Sequence, residues 1–311
     1  MDTAATSKAE VASLIRDVEK SWDAEVRELA QTLPKEEGWI SGTSLYLYQG
    51  YWCNSLEIKT LISFQTHFRA LDSDVIVATF PKCGTTWLKA LTFSTLHRSQ
   101  FAEDENPLLS FTPHQLVRFL ELDVYLNNPC PDLESICLYK PRLVSTHVPY
   151  ASLPASIKDS NCKIVYICRN PMDMFISLWL FTCKLRDEIQ APLSLDQAFD
   201  KFCRGIHHVG PFFDHLKHLA MFLGVPFTED EEKRGVVEEK ARICSFEKLK
   251  EVEVNKQGSS ILGIPNESFF RKAKVGDWSN HLTLAMVERM DKLIQQKLEN
   301  SGLTFKFSYK T

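Results

Sequence analysis

The chain has 311 residues, of which 44% are hydrophobic and 24% charged, and it carries a formal net charge of −4. This is ordinary globular composition, able to bury a large core, and it excludes the disordered and fibrous classes. With no excess of positive charge, the surface as a whole attracts neither nucleic acid nor an anionic membrane, so any anion site has to be a local basic cluster.

Residues 1–35 are polar, helix-prone and devoid of glycine, and they predict a frayed helix over 10–31 as an N-terminal helical extension. The first residues, Met-Asp-Thr-Ala-Ala-Thr-Ser-Lys, lack the charged-then-apolar order of a signal peptide. No apolar stretch approaches the ~20 residues that cross a bilayer, so a cytoplasmic protein is expected. Residues 38–53 turn aromatic, with Trp39, Tyr46, Tyr48, Tyr51 and Trp52, and helical spacing follows over 56–68. Val75–Thr79 is a short apolar, β-branched run, the pattern of a parallel strand buried on both faces. A loop, Phe80-Pro-Lys-Cys-Gly84, leads into a helix that opens on Thr85 and Thr86.

A second strand is expected over 142–146 and a third over 163–168. The third stops at Arg169-Asn170-Pro171, where Asn170 reads as an N-cap and Pro171 as the first helical residue. That helix continues through Met174, Phe175, Leu178, Trp179 and Phe181. Further helices are expected over 194–204, over 216–223 before Gly224-Val225-Pro226, over 229–240 as a charged solvated face, and over 283–300. No internal repeat or interdomain linker is evident. Strands alternating with helices predict an α/β fold, one domain over 1–311, with a parallel sheet flanked by helices on both faces. Nine cysteines, an odd number, sit partly inside apolar runs and form no CxxC pair, which predicts reduced thiols and no metal site.

The most informative segment is 75–88. A strand, a loop with Lys82 and Gly84, and a helix opening on two threonines make a phosphate cradle. Backbone N–H groups at a helix N-terminus carry partial positive charge. Gly84 permits close approach, and Lys82 supplies a mobile cation. The Walker pattern GxxxxGK[ST] is absent because lysine precedes the glycine, which argues against an ordinary ATPase or kinase.

Pro81-Lys-Cys-Gly-Thr-Thr-Trp87 resembles the P-K-S-G-T-T-W phosphosulfate loop of the soluble sulfotransferases, the plant ones especially, with Cys83 in place of serine. The resemblance continues in Leu33-Pro-Lys-Glu-Glu-Gly-Trp39, Gln49-Gly-Tyr-Trp-Cys53, Thr146-His-Val-Pro149, Cys168-Arg-Asn-Pro-Met-Asp173 with Ser177, and Phe269-Phe-Arg-Lys-Ala-Lys-Val-Gly-Asp-Trp278. It runs in the family's order over nearly the whole chain. It implies a P-loop-like sulfotransferase fold. It also implies transfer of a sulfuryl group from 3′-phosphoadenosine-5′-phosphosulfate to a hydroxyl of a small acceptor, a flavonoid, a steroid-like hormone or similar. No metal, nucleic acid or membrane would take part. A nucleotide-binding relative impaired in catalysis is the alternative reading.

By the same resemblance, Lys82, Cys83, Gly84, Thr85, Thr86 and Trp87 would bind the donor. Lys82 would neutralise the leaving group's bridging oxygen, Thr85, Thr86 and backbone amides would hold the 5′-phosphate, and Trp87 would stack on adenine. His147 would be the general base on the acceptor hydroxyl, a role suited to a group that ordinarily titrates near pH 6.5. Arg169 and Ser177 would hold the 3′-phosphate, completed by Arg271, Lys272 and the backbone of Ala273, where most relatives have glycine. Cys244, Ser245 and Phe246 correspond to the adenine-side segment. Phe80, Phe181, His114, Tyr51 and Trp52 are candidate walls of an acceptor pocket, and equally candidate core residues.

Three departures from the family stand out. The lysine that animal relatives carry two residues before the histidine is Ser145 here. The animal dimerisation motif, K-x-x-x-T-V-x-x-x-E, begins here at Ser279 and keeps only Thr283 and Glu288, so a monomer or weak homodimer is expected. After Gly210-Pro-Phe-Phe-Asp-His215, relatives continue through a short apolar strand with an adenine-side tyrosine; here His215 runs directly into Leu216. The expectation is a sulfotransferase fold lacking one central strand, with one edge of Val75–Thr79 exposed, a weakened adenine pocket and low or absent activity.

Overall fold

The computed structural model describes residues 22, 24–40, 42–102, 104–167, 169–185, 193–204, 223–225 and 227–298. A helix α1 (Ala24–Thr32) is followed by three short strands, β1 (Lys35–Glu37), β2 (Ser44–Tyr48) and β3 (Tyr51–Asn54). These pair as an antiparallel ribbon in the order β1-β2-β3. The aromatic run over 38–53 is thus a small separate sheet, which the sequence had not revealed. Helix α1 is not frayed over the described part of the predicted 10–31 helix. Trp22, Val26 and Ala30 are buried in the main core, and the Trp22 indole N–H donates to the Ser55 carbonyl at 3.2 Å. The remainder of that predicted helix lies outside the described residues.

Helix α2 (Ser55–His67) starts on a capping box, in which the Asn54 side chain accepts from the Glu57 N–H and the Glu57 carboxylate accepts from the Asn54 N–H. Its Ile58, Leu61 and Phe64 are fully buried. They pack behind the central sheet, which consists of β4 (Val75–Thr79), β5 (Leu143–Thr146) and β6 (Lys163–Ile167). The sheet is parallel, in the order β5-β4-β6, with Val75 level with Leu143 and Lys163, and Ala78 level with Thr146 and Tyr166. Every residue of β4 is buried, as its unbroken β-branched run requires. Between β4 and β5 runs α3 (Thr85–Leu96), buried almost all round. After β6 come α4 (Pro171–Leu185), α5 (Leu195–Cys203), α6 (Val236–Ile243) and α7 (Leu284–Leu298). Asn170 caps α4 as expected, its side-chain oxygen accepting from the Met172 N–H at 2.9 Å.

Two expectations need correction. The strand carrying the phosphate loop does not lose a neighbour, because β4 hydrogen-bonds β5 on one side and β6 on the other. Among the described residues the sheet's outer strands are β5 and β6, and it is Tyr166 of β6 that is 45% exposed. Neither edge of β4 is left open. Second, the charged run over 229–240 is not one solvated helix. Gly235, at φ +74°, breaks it into Glu229–Lys233 and α6, and Lys240 and Ile243 of α6 are buried. The helix expected over 283–300 is found as α7, Leu284–Leu298, with Met286, Val287 and Met290 in the core. The helix predicted over 216–223 lies outside the described residues except for Leu223.

Candidate active site

The shared register brings the carboxyl ends of the three parallel strands level, and each ends in a site residue: Thr79 before the phosphate loop, Thr146 before His147, Ile167 shortly before Arg169. Ligands of open α/β sheets bind at such strand ends. A cavity of about 1790 Å³ opens there, lined by the phosphate loop, His147, Arg169, Ser177, Phe246 and the 271–275 segment.

The loop is shaped by two left-handed residues, Lys82 at φ +66° and Gly84 at φ +101°. Gly84 is the N-cap of α3 with no side-chain cap, so the first N–H groups of the helix are left for a ligand. A Cβ on Gly84 would meet only Ile167 Cδ1, at 3.7 Å, so glycine is needed there for conformation and not for space. The Thr85 hydroxyl is tied to the Thr79 hydroxyl at 2.7 Å, and the Thr86 hydroxyl to His114 Nε2 at 3.0 Å. Trp87 keeps 40% of its surface exposed at the cavity, a platform for a flat ring. Cys83 turns its thiol into the core beside Trp39 and Met172, and burial pushes it up to about 12; it has only backbone to offer a ligand. The Lys82 ammonium lies 3.7 Å from the centroid of Phe181. Loss of bulk water, with Arg169, Lys184 and Arg271 nearby, pulls it down to about 7.

His147 is held from two sides. Its Nδ1 lies 2.5 Å from the Thr79 carbonyl oxygen, which can only accept, so Nδ1 carries the proton and the lone pair is on Nε2. Its backbone N–H donates to Glu121 at 2.6 Å, and the Thr146 hydroxyl donates to the other oxygen of Glu121 at 2.8 Å. Burial pushes Glu121 up to about 7, against the pull of those two bonds. Phe119 packs on the imidazole at 4.5 Å.

The second basic cluster is built across three segments. Arg169 donates to the Lys82 carbonyl and to the Lys274 carbonyl, each at 3.3 Å, and so bridges the phosphate loop to the 271–275 segment. Arg271 and Lys272 pair with Asp277 at 2.5 and 3.1 Å. Burial works against the Asp277 charge, but bonds from Arg271, Lys272 and Asn280 hold its carboxyl well below the usual range. Between them Ala273 sits at φ +49°, a left-handed conformation that glycine adopts without strain. The Asp173 carboxylate accepts from the Gly276 N–H at 2.7 Å and the Trp278 N–H at 3.1 Å, which fixes that segment to α4. Ser177 and Phe246 line the cavity.

Not every candidate comes to the cavity. Cys244 is fully buried in the core around α3, its thiol pushed up to about 12 by burial, while Ser245 caps the short helix Phe246–Glu251. Phe181 and His114 line the cavity, whereas Phe80 and Tyr51 pack against core clusters and Trp52 is not among the lining residues. Ser145 is buried, its hydroxyl donating to the Arg118 carbonyl at 3.1 Å. Glu121, Asp173 and Lys89 were missed in the sequence because their partners are distant in the chain or behind the loop.

The Sulfotransferase domain family matches this chain over residues 72–220 and 216–302. Cytosolic sulfotransferase 15 of Arabidopsis thaliana is 43% identical, with 94% of this chain and 92% of that protein covered. Cytosolic sulfotransferase 14 of the same plant is 42% identical, with 93% of each covered. The alignment with the former runs over 332 positions, more than the 311 residues present here, so part of that relative has no counterpart. The two family matches meet at 216–220, next to His215, where the shortening was expected. Among solved structures, an Arabidopsis thaliana putative steroid sulphotransferase superposes with a TM-score of 0.67 at 36% identity, covering 90% of this chain and 94% of that one. Retinol dehydratase in complex with androsterone and inactive cofactor PAP superposes at 0.64 with 18% identity, covering 91% and 96%, a likeness of fold alone. This chain belongs to the sulfotransferase family.

Proposed function

We propose that this protein transfers a sulfuryl group from 3′-phosphoadenosine-5′-phosphosulfate to a hydroxyl of a small acceptor in the cytoplasm, as a single-domain monomer or weak homodimer. The observation that carries the reading is the placement of two separate basic clusters, Lys82 and Arg169 with Arg271 and Lys272, on one cavity that also holds His147. Two anion sites suit a nucleotide with phosphates at both 3′ and 5′ positions, and Trp87 and Phe246 suit its base. Once bound, this donor supplies the activated sulfuryl group.

The chain's own residues then divide the work. The α3 N-terminus, Thr86 and Lys82 hold the 5′ side, and Lys82 meets the negative charge that grows on the leaving phosphate. Arg169, Arg271, Lys272 and Ser177 hold the 3′-phosphate, with Arg271 and Lys272 drawn from Asp277 toward it. His147 takes the acceptor proton at Nε2, while the Thr79 carbonyl and Glu121 keep the ring and backbone in place. The apolar walls around Phe181 and Phe119 suit a flat, largely apolar acceptor; a structural relative is titled a putative steroid sulphotransferase. Lys82 and His147 both line the cavity, which favours the active reading over an impaired relative. The test is calorimetry: adenosine 3′,5′-bisphosphate should bind far more tightly than AMP, and equal affinities would remove the 3′ site and the reading with it.

A further inference from the structure

Behind the phosphate loop three polar side chains form a row that leads into the core. Thr86 Oγ1 lies 3.0 Å from His114 Nε2, and His114 Nδ1 lies 3.2 Å from Lys89 Nζ. Lys89, one turn along α3 from Thr86, is fully buried with its nitrogen 3.2 Å from the centroid of the Phe119 ring. The His114 ring sits against Phe119 and Phe269, with centroids 5.6 and 4.5 Å away. A lysine buried on an inward helix face is costly, and leucine or methionine would fill the space at less expense.

Hydrogen-bond chemistry gives the row a direction. As an ammonium, Lys89 can only donate, so His114 must accept at Nδ1 and carry its proton on Nε2. That Nε2–H donates to the Thr86 oxygen, and the Thr86 hydroxyl proton then points away from the row, into the cavity. As a neutral amine Lys89 can also accept, the row can reverse, and Thr86 donates inward. Burial pulls Lys89 well below its ordinary range against the attraction of Glu121 and Asp123. Burial, aided by Lys89, His147 and Lys82, does the same to His114. An anion placed against Thr86 favours the outward polarity and the charged lysine.

We propose that Lys89 and His114 are positioning residues for sulfuryl transfer, orienting the Thr86 hydroxyl as a donor to the leaving phosphate and bringing positive charge to it from inside the fold. This rests on the reading that the loop holds the 5′-phosphate. A residue that only fills space would weaken binding independently of Thr86, whereas a residue acting through Thr86 would not. Calorimetry with adenosine 3′,5′-bisphosphate on the wild type, Lys89→Met, Thr86→Val and the double variant separates the two. Lys89→Met is expected to weaken binding about tenfold in the wild-type background and less than about twofold in the Thr86→Val background. Equal losses in both backgrounds would overturn the inference alone. A wild type that binds AMP and the bisphosphate equally would overturn this inference and the proposed function together. If Lys89→Met does not fold, Lys89→Met/His114→Phe replaces the whole polar pair with apolar groups of similar shape and carries the same comparison.

Discussion

The depressed Lys82 makes donor-side binding depend on pH in a direction that the geometry fixes. In the ligand-free protein its ammonium sits beside Arg169, Lys184 and Arg271 in a site shielded from water, and it titrates at about 7. A bound phosphate reverses the balance and holds Lys82 charged. Affinity is therefore full below about pH 7 and declines above it, because binding must then recover a proton. If the bound form keeps its proton through pH 9, the dissociation constant of adenosine 3′,5′-bisphosphate rises about fifty-fold between pH 7 and 9. The phosphate's own second ionisation, near pH 6, is complete over most of that window and does not mask the effect. The folding side has the same origin with its own sign. A lysine depressed on folding costs stability below its folded value, and stability recovers as pH rises through about 7 toward the unfolded value. Calorimetric titration from pH 6 to 9 reads the binding curve, with Lys82→Arg as the control that stays charged throughout. A flat wild-type profile, or an Arg variant as steep as the wild type, would refute the assignment of the depressed cation to Lys82.

Replacing His147 by alanine should lower kcat about a thousandfold while bisphosphate affinity changes less than twofold, as read by turnover of labelled donor and by calorimetry. Asp173→Asn should cost about 2 kcal/mol in denaturant unfolding and weaken bisphosphate binding, because the carboxylate holds the Gly276 and Trp278 N–H groups. Light scattering at micromolar concentration should give a monomer mass, since the motif that begins at Ser279 keeps only Thr283 and Glu288; a stable dimer would contradict this.

What the sequence revealed was local. The β-branched run Val75–Thr79, the Asn170-Pro171 helix start and the loop with Lys82 and Gly84 each carry their signal within a few residues, and each was found where expected. What it concealed depends on partners far along the chain. Glu121 meets Thr146 and His147 some 25 residues on, and Asp173 meets Gly276 across 103. Lys89 reads in a sequence as an ordinary charged helix residue, and only the packing of α3 on all sides turns it inward. Cys83 and Cys244 enter the ligand set only through their place in a motif. Their thiols face the core, so there the motif records backbone shape and packing, not side-chain chemistry.

The shortening after His215 lies outside the strands that carry the candidate site. The phosphate loop hangs from β4, and His147 and Arg169 follow its two neighbours, β5 and β6. All three strands lie before the junction in the chain, and β4 is paired along both edges. The loop's conformation rests on Gly84 and on Thr85 tied to Thr79, neither of which reaches beyond this sheet. The second basic cluster is anchored independently, through Asp173 and the Arg169 bonds to Lys82 and Lys274. A shortening beyond this junction therefore leaves the three strand ends and the pairing of β4 in place. Restoring a relative's segment after His215 should accordingly raise bisphosphate affinity by about tenfold and leave kcat within a few-fold, as measured on both chains with the same acceptor. A restored chain that gains kcat instead, at unchanged affinity, would mean that the missing segment shapes the reacting centre and that this division of the site is wrong.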